Sequence, residues 1–231
     1  MKIKTEATHG KDFTYRWSTH VPVINTIMEI LKPYLIVELG VGFFSTPLLL
    51  KSKAQKTIHI ENQEYWFYHI QDIHKNLLNE KNEFLLHSIH KSIELSTPEK
   101  ELNEEIKQNI IQYYLNLSDK IKNMNYKKSM LIIDNYTCTR KISLDILTNC
   151  FNVVVYHDAE DEIYNYKNLD KSLFENYDNY ILETPKTHTG IFIKKNTIEE
   201  EELKKVLNTY INNYTNDLSI SKEGFNLTKK V

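Results

Sequence analysis

The stretch "LIVELGVGFFSTPLLL", Leu35 to Leu50, decides the fold. Its opening apolar run, Tyr34 to Leu39, carries one carboxylate, Glu38, and Gly40, Gly42, Ser45, Thr46 and Pro47 follow at once. A short apolar run of this kind reads as a buried parallel strand. Glycines after a strand permit a tight turn and let a ligand approach the backbone. Pro47 suits the first turn of a helix over Ser45–Ser52. The segment is thus a strand, a turn and a helix, with a charge where a buried strand should have none.

The same unit recurs on both sides. Thr19–Leu31 places Val21, Ile24, Ile27, Met28 and Leu31 on one helical face, and Pro33 stops it. Thr57–Ile60 is a strand ending at Glu61, followed by a helix over Tyr65–Leu78 with Trp66, His69, Ile70, Ile73 and Leu77 on one face. Glu83–His87 is a third strand. The charged stretch Glu94–Lys128 has helical spacing at Ile106, Ile110, Tyr113, Leu117 and Ile121, a face for the core or for a second copy of the chain. Met130–Ile133 is a strand ending at Asp134, Ser143–Asn149 a helix, and Val153–Tyr156 a strand ending at His157-Asp158. Tyr180–Glu183 and Gly190–Lys194 flank the turn "TPKTHT", and so brief a connection makes them antiparallel. A last helix begins at Thr197 with the acidic first turn "IEEEE", and Lys222–Val231 is expected to fray. Alternating strands and helices predict an α/β, Rossmann-like, doubly wound sheet of about seven strands, mostly parallel, with an antiparallel C-terminal hairpin strand and helices on both faces. Residues 1–231 read as a single domain, with 94–128 a helical insertion and 215–231 a tail.

Composition narrows the function. The chain has 29 basic and 31 acidic residues, a net charge of −2, and so lacks the basic face of a nucleic-acid binder; Lys127-Lys128 is the only local candidate. No apolar run approaches the ~20 residues of a membrane span, and "MKIKTEATHGKDF" lacks a leader's apolar stretch. Two cysteines, Cys138 and Cys150, without a CxxC point to a reduced, cytoplasmic setting. Cys138 reads equally as an ordinary thiol or a site residue. The richness in Lys, Asn, Ile and Tyr fits an AT-rich viral or low-GC genome.

Glu38, Glu61, Asp134 and Asp158 each lie at or directly after the end of an apolar run. In a doubly wound sheet, ligands sit beyond the carboxyl ends of the strands, so these acids predict an acidic crevice there. Glu61, ending the next strand, stands where an acid holds ribose hydroxyls. Glu38 would repel a pyrophosphate at short range, which disfavours a nicotinamide dinucleotide. A cationic nucleoside fits instead. S-adenosylmethionine has a ribose, an amino group and a sulfonium, and no phosphate.

On these residues the sequence resembles class I S-adenosylmethionine-dependent methyltransferases, over Thr19–Lys195. The family's E-x-G-x-G-x-G appears as Glu38, Gly40 and Gly42, with Phe44 in place of the third glycine. Thr19-His20 could simply cap the first helix; the resemblance implies instead that this helix entry touches the methionine end, that Ser45 and Thr46 bind the methionine carboxylate, and that Glu61 with Asn62 holds the ribose. His87 or Ser88 would lie near adenine, and Asp134 near the methyl donor or acceptor. Trp17 and Trp66 read as packing residues.

The acceptor is less specified. "IIDNYTCTR", Ile132 to Arg140, lacks the [D/N/S]-P-P-[Y/F/W] sequence of amino-methylating DNA enzymes, so a small-molecule or sugar hydroxyl is favoured. His157 and Asp158 face Asp134. His157 is a candidate general base, tuned near neutrality by Asp158 or Asp134; the rival reading has Asp158 capping a helix over Ala159–Tyr166. Arg140 would bind an acidic acceptor or pair with Asp134. Resemblance to catechol-type O-methyltransferases implies a divalent metal on Asp134 and Asp158, but Ala159 replaces the family's Asn, and no metal is favoured. A fold relative that binds the cofactor without catalysis, as a regulatory subunit, is the alternative function.

Overall fold

The computed structural model describes residues 17–89, 93–94, 96–160, 162–164, 166–170 and 172–230; the N-terminal segment read for a leader lies outside them. The opening stretch folds as expected into β1 (Leu35–Leu39), buried at every residue, a loop, and α2 (Thr46–Leu50). Before it comes α1 (Val21–Leu31). After it come β2 (Lys56–Glu61), α3 (Glu64–Ile73), β3 (Asn82–Leu86), α4 (Glu104–Met124), β4 (Ser129–Ile133), α5 (Thr137–Leu147) and β5 (Val153–His157). The chain closes with α6 (Ser172–Asn176), β6 (Tyr177–Glu183), β7 (Thr189–Lys194), α7 (Glu200–Leu218) and β8 (Asn226–Lys230).

The sheet has eight strands in the order β3-β2-β1-β4-β5-β7-β6-β8. The first five strands are parallel. β7 runs antiparallel between β5 and β6, and β8 antiparallel beside β6. The strand order reverses between β1 and β4, which sets the crevice above their carboxyl ends. Successive residues of a strand point to opposite faces, so β1 feeds two cores. Ile36 joins α1 and α7 on one face, while Leu35, Val37 and Leu39 join α4 and α5 on the other.

Several expectations change. The tail is not frayed: β8 pairs with β6 from Asn226 to Lys230. Its sequence, NLTKK, has Leu227 as its single apolar residue, too little to show as a strand. The 94–128 segment is the β3-to-β4 crossover, and α4 packs Ile110, Tyr114, Leu117 and Ile121 into the core. α3 is shorter than its pattern, with only Ile70 fully buried. α5 starts six residues before the predicted helix. α7 starts at Glu200 rather than Thr197, keeping Glu200, Glu201 and Glu202 in its first turn. In place of a helix over Ala159–Tyr166 there are short 3-10 turns at Glu162–Tyr164 and Tyr166–Asn168. Among the described residues no helix is long and apolar enough to cross a membrane.

Gly40 is the turn that makes the crossing possible. Its φ is +86°, and a Cβ there would fall 2.1 Å from the Asp134 carbonyl oxygen. The Gly40 N–H donates to Ile60 O and the Asp134 N–H to Leu39 O, so the chain cannot shift away without breaking the sheet's ends. Gly40→Ala combines a left-handed backbone with a collision, and should lower stability by at least about 2 kcal/mol in urea unfolding.

Candidate functional site

Glu38 is wholly buried, and its Oε2 gathers the hydrogen bonds that hold it while Oε1 has no hydrogen-bond partner. It pairs in register with His59 on β2, and Glu38 Oε2 lies 2.7 Å from His59 Nδ1. The same oxygen accepts from Thr46 Oγ1 at 2.9 Å, and Thr46 Oγ1 accepts from the Gly42 N–H at 2.9 Å. His59 Nε2 continues to Thr57 Oγ1 at 3.0 Å, which accepts from Asn82 Nδ2 at 2.8 Å. A polar chain therefore runs under the loop from Gly42 to β3. Here Glu38 and Thr46 fasten the loop from below, and neither lines the cavity.

Above the loop is a cavity of about 810 Å³. One end is lined by Val41, Gly42, Phe43, Ser45, Glu61 and Gln63 with Trp66. Gly42 has only Ser45 Oγ within 4 Å of where its Cβ would be, so a side chain there would project into open space. Glu61 accepts three backbone N–H groups: Val41 at 3.0 Å on Oε2, and Asn62 at 2.7 Å and Gln63 at 2.8 Å on Oε1. Burial raises its pKa, the three N–H groups oppose that, and Glu38 adds to the rise. A carboxylate has about four acceptor positions, so one remains for a ligand hydroxyl. Asn62 Nδ2 donates to His87 O at 2.9 Å, and the His87 ring stacks on Tyr113 at 3.5 Å.

The other end holds His20, Asp134, Arg140, His157, Asp158 and Tyr164. Arg140 is buried and bonds here through all three of its guanidinium nitrogens. Nε donates to Asn135 O at 2.8 Å, Nη2 to Asp134 Oδ1 at 2.8 Å, and Nη1 to Asp158 Oδ2 at 3.0 Å and His157 O at 3.2 Å. It also lies 4.2 Å from the Tyr164 ring. His157 Nδ1 is 3.2 Å from Asp158 Oδ1 and 3.5 Å from Asp134 Oδ1. Its Nε2 meets Thr19 Oγ1 at 3.1 Å and Thr187 Oγ1 at 3.2 Å.

The charges follow from this packing. Burial opposes ionisation of His157, but the Asp134 and Asp158 carboxylates outweigh it and push the imidazole up to about 10. Burial likewise opposes charge on those acids, and His157 and Arg140 outweigh it and hold both below the usual range. His157 is thus a cation at neutral pH and not a base tuned near neutrality. The two carboxylates that would have tuned it act together. The crevice is also not simply acidic: Arg140 and His157 offset Asp134 and Asp158. His20, edge-on to His157 at 4.7 Å, is different. Burial and then His157 lower it to about 3, and neither ring nitrogen has a protein partner.

No protein-family model and no curated protein sequence matches the chain. Solved structures do. An O-methyltransferase from Bacillus cereus in complex with S-adenosylhomocysteine aligns with a TM-score of 0.51 at 14% identity, covering 76% of this chain and 81% of that one. A Staphylococcus aureus protein assigned as a caffeoyl-CoA O-methyltransferase aligns with a TM-score of 0.52 at 13% identity, covering 81% and 93%. The fold is that of the class I methyltransferases. At these identities the likeness is one of fold.

Of the residues singled out from sequence, this methyltransferase fold gathers Gly42, Ser45, Glu61, Asp134, His157 and Asp158 around the cavity. Glu38, Gly40, Thr46 and Asn62 lie beneath or beside it, Thr19 lies behind His157, and Ser88 is exposed and away from it. α2 is only five residues long, so its start is a turn rather than a helix end aimed at a ligand. Asp158 caps no helix; it holds Arg140 and Tyr164. Arg140 pairs with Asp134 and with Asp158 as well. Cys138 is fully buried, outside the cavity, and burial lifts its thiol to about 11. His20, read with Thr19 as a helix cap or a contact to the methionine end, precedes α1 without a side-chain cap bond and lines the cavity. Trp17 and Trp66, read as packing residues, line the cavity.

Glu38→Ala removes the acceptor shared by His59 and Thr46, and should cost about 3 kcal/mol in urea unfolding. A loss under about 1 kcal/mol would show that the polar chain does not hold the loop. Burial keeps folded His87 neutral down to about 4, whereas the unfolded chain protonates near 6.5. The unfolded state therefore binds more protons between those values, and stability falls as pH drops through that window. His87→Phe should make that fall shallower, measured as melting temperature against pH.

Proposed function

We propose that this protein is an S-adenosylmethionine-dependent methyltransferase acting on the hydroxyl of a small molecule or sugar. The observation that carries the reading is the position of Glu61. At the end of β2, in the wall of the cavity, three backbone N–H groups orient its carboxylate and one acceptor position is left. A buried carboxylate beside a second one, Glu38, is a poor neighbour for phosphate and a good one for a ribose next to a sulfonium.

The cofactor, when bound, supplies a methyl group on a positively charged sulfur. Glu61 holds the ribose, Gly42 leaves room for it, and Trp66 and Phe43, edge-to-face at 5.2 Å, wall the same end. The acceptor hydroxyl enters beside Asp134. Arg140 and His157 keep Asp134 ionised before reaction; Asp134 accepts the hydroxyl's hydrogen bond and takes its proton, for release to water, as the oxygen gains the methyl group and the carbon–sulfur bond breaks. Alignment of the attacking oxygen with the methyl carbon supplies most of the rate, as in any direct displacement. Trp17, Tyr136 and Tyr164 face the same space and favour a flat or sugar-ring acceptor. The cavity is a pocket of bounded volume, and the near-neutral charge gives no electrostatic footprint for nucleic acid.

Glu61→Ala should weaken S-adenosylhomocysteine binding by at least tenfold in calorimetry, about 1.4 kcal/mol, the range of one charged hydrogen bond. Unchanged affinity would remove the ribose role. Asp134→Asn should keep that affinity within about threefold and lower transfer to phenolic or sugar hydroxyls by about 100-fold. Tight S-adenosylhomocysteine binding with no transfer by the native chain to any such acceptor would favour a non-catalytic, regulatory subunit.

A further inference from the structure

The divalent site of catechol-type enzymes does not fit here. Its third oxygen ligand is missing because residue 159 is alanine, and Asp158 turns Oδ2 to Arg140 and Tyr164. An all-oxygen Mg²⁺ site cannot be built from what remains. A different donor set is present a few ångströms away. One ligand atom each from His20, Asp134 and His157 lie within 4.8 Å of one another, at the wall of the cavity. We propose that His20, Asp134 and His157 form a two-histidine, one-carboxylate site for a divalent transition metal, with the open coordination positions facing the cavity.

Four observations support it. First, His20 is 3% exposed, lines the cavity, and has no protein partner on either nitrogen. A buried polar ring with both nitrogens unpaired costs stability unless a ligand meets it. Second, the outer shell is already built. A metal-bound histidine is oriented by a hydrogen bond at its other nitrogen, and His157 Nε2 is met by Thr19 and Thr187, whose hydroxyls are themselves 2.7 Å apart. That leaves Nδ1 for the ion. Asp134 is held in turn by Arg140 Nη2. Third, Arg140 is paired with both Asp134 and Asp158, and Asp158 Oδ1 lies 3.2 Å from His157 Nδ1, so an ion at Nδ1 would take the place of the His157 proton beside two carboxylates and release that proton on binding. Fourth, imidazole with carboxylate selects Zn²⁺, Mn²⁺, Fe²⁺ or Co²⁺ over Mg²⁺ and Ca²⁺. A tetrahedral ion with bonds of 2.0–2.1 Å draws its ligand atoms to about 3.4 Å apart. His20 and His157 must therefore close by rotation on binding. Such an ion would sit beside the position given above to the acceptor hydroxyl. The site itself does not depend on the methyltransferase reading.

Chelator-stripped protein, without cofactor, is titrated with Co²⁺ and Zn²⁺ by absorption and calorimetry. One ion per chain, with Mg²⁺ at least 100-fold weaker, is expected. Thr19→Val should weaken Co²⁺ by 10-fold or more through the outer shell, and His20→Ala by more. In native protein, Co²⁺ should shift the ring-proton NMR signals of two histidines, which keeps the test decisive if His20→Ala does not fold. Absence of binding, several weak ions per chain, a folded His20→Ala with native affinity, or histidine signals that do not move would each overturn the site. S-adenosylhomocysteine affinity, measured separately, reports on the cofactor reading alone.

Discussion

A carboxylate without solvent in the middle of a parallel sheet is the constraint around which this molecule is arranged. Glu38 could be tolerated there only with partners on more than one side, because an isolated buried charge is expensive. The partners are His59 across the β1–β2 pair and Thr46 from the next helix, and each reaches further, to Thr57 and to the Gly42 N–H. The loop that floors the cavity is thereby tied to two strands by hydrogen bonds whose alternatives are unsatisfied groups. This is a stronger fastening than the loop's own sequence could provide, since "GVGFF" offers no side-chain donor or acceptor of its own.

The far end of the cavity is organised by a second balance of charge. Two acids after β4 and β5 would repel each other if left alone. Arg140, one turn into α5, lies between them and closes a network that includes His157. Its Nε bond to Asn135 O also fixes how the chain leaves β4. The two ends differ in kind. At the Glu61 end, backbone N–H groups hold a single acid. At the Asp134 end, fixed cations hold a pair of acids, and neutral His20 is left facing them.

The central strands β1, β4 and β5 were readable because each is short, apolar and buried along its whole length. The acids at their ends were readable for the opposite reason, as charges where apolar runs stop. Glu61, Asp134 and Asp158 reach the cavity on that ground. Glu38 obeys the same rule and ends up underneath, since it falls one residue before the strand's end. His59, in "TIHIE", was the available sign, a polar residue inside a buried strand at the register position opposite Glu38. Arg140's pairing with Asp134 could be read from its place in the loop after that strand, but its second bond to Asp158 and the lining role of Trp17 could not, because they depend on how α5 and the chain before α1 fold back over the sheet. β8 was hidden because "NLTKK" buries too little to carry an apolar signature.

The eighth strand has a consequence for how the molecule meets others. It occupies the margin beyond β6, and its Lys229 and Lys230 are paired with Asp178 and Glu183. At the opposite margin, Glu83 of β3 is clamped between Lys56 and Lys120. A flank with lysines along it resists zippering to another flank, because joining would strip water from charges already matched. The ribbon is therefore closed to growth at both sides, and copies of the chain that come together would do so through their helical layers.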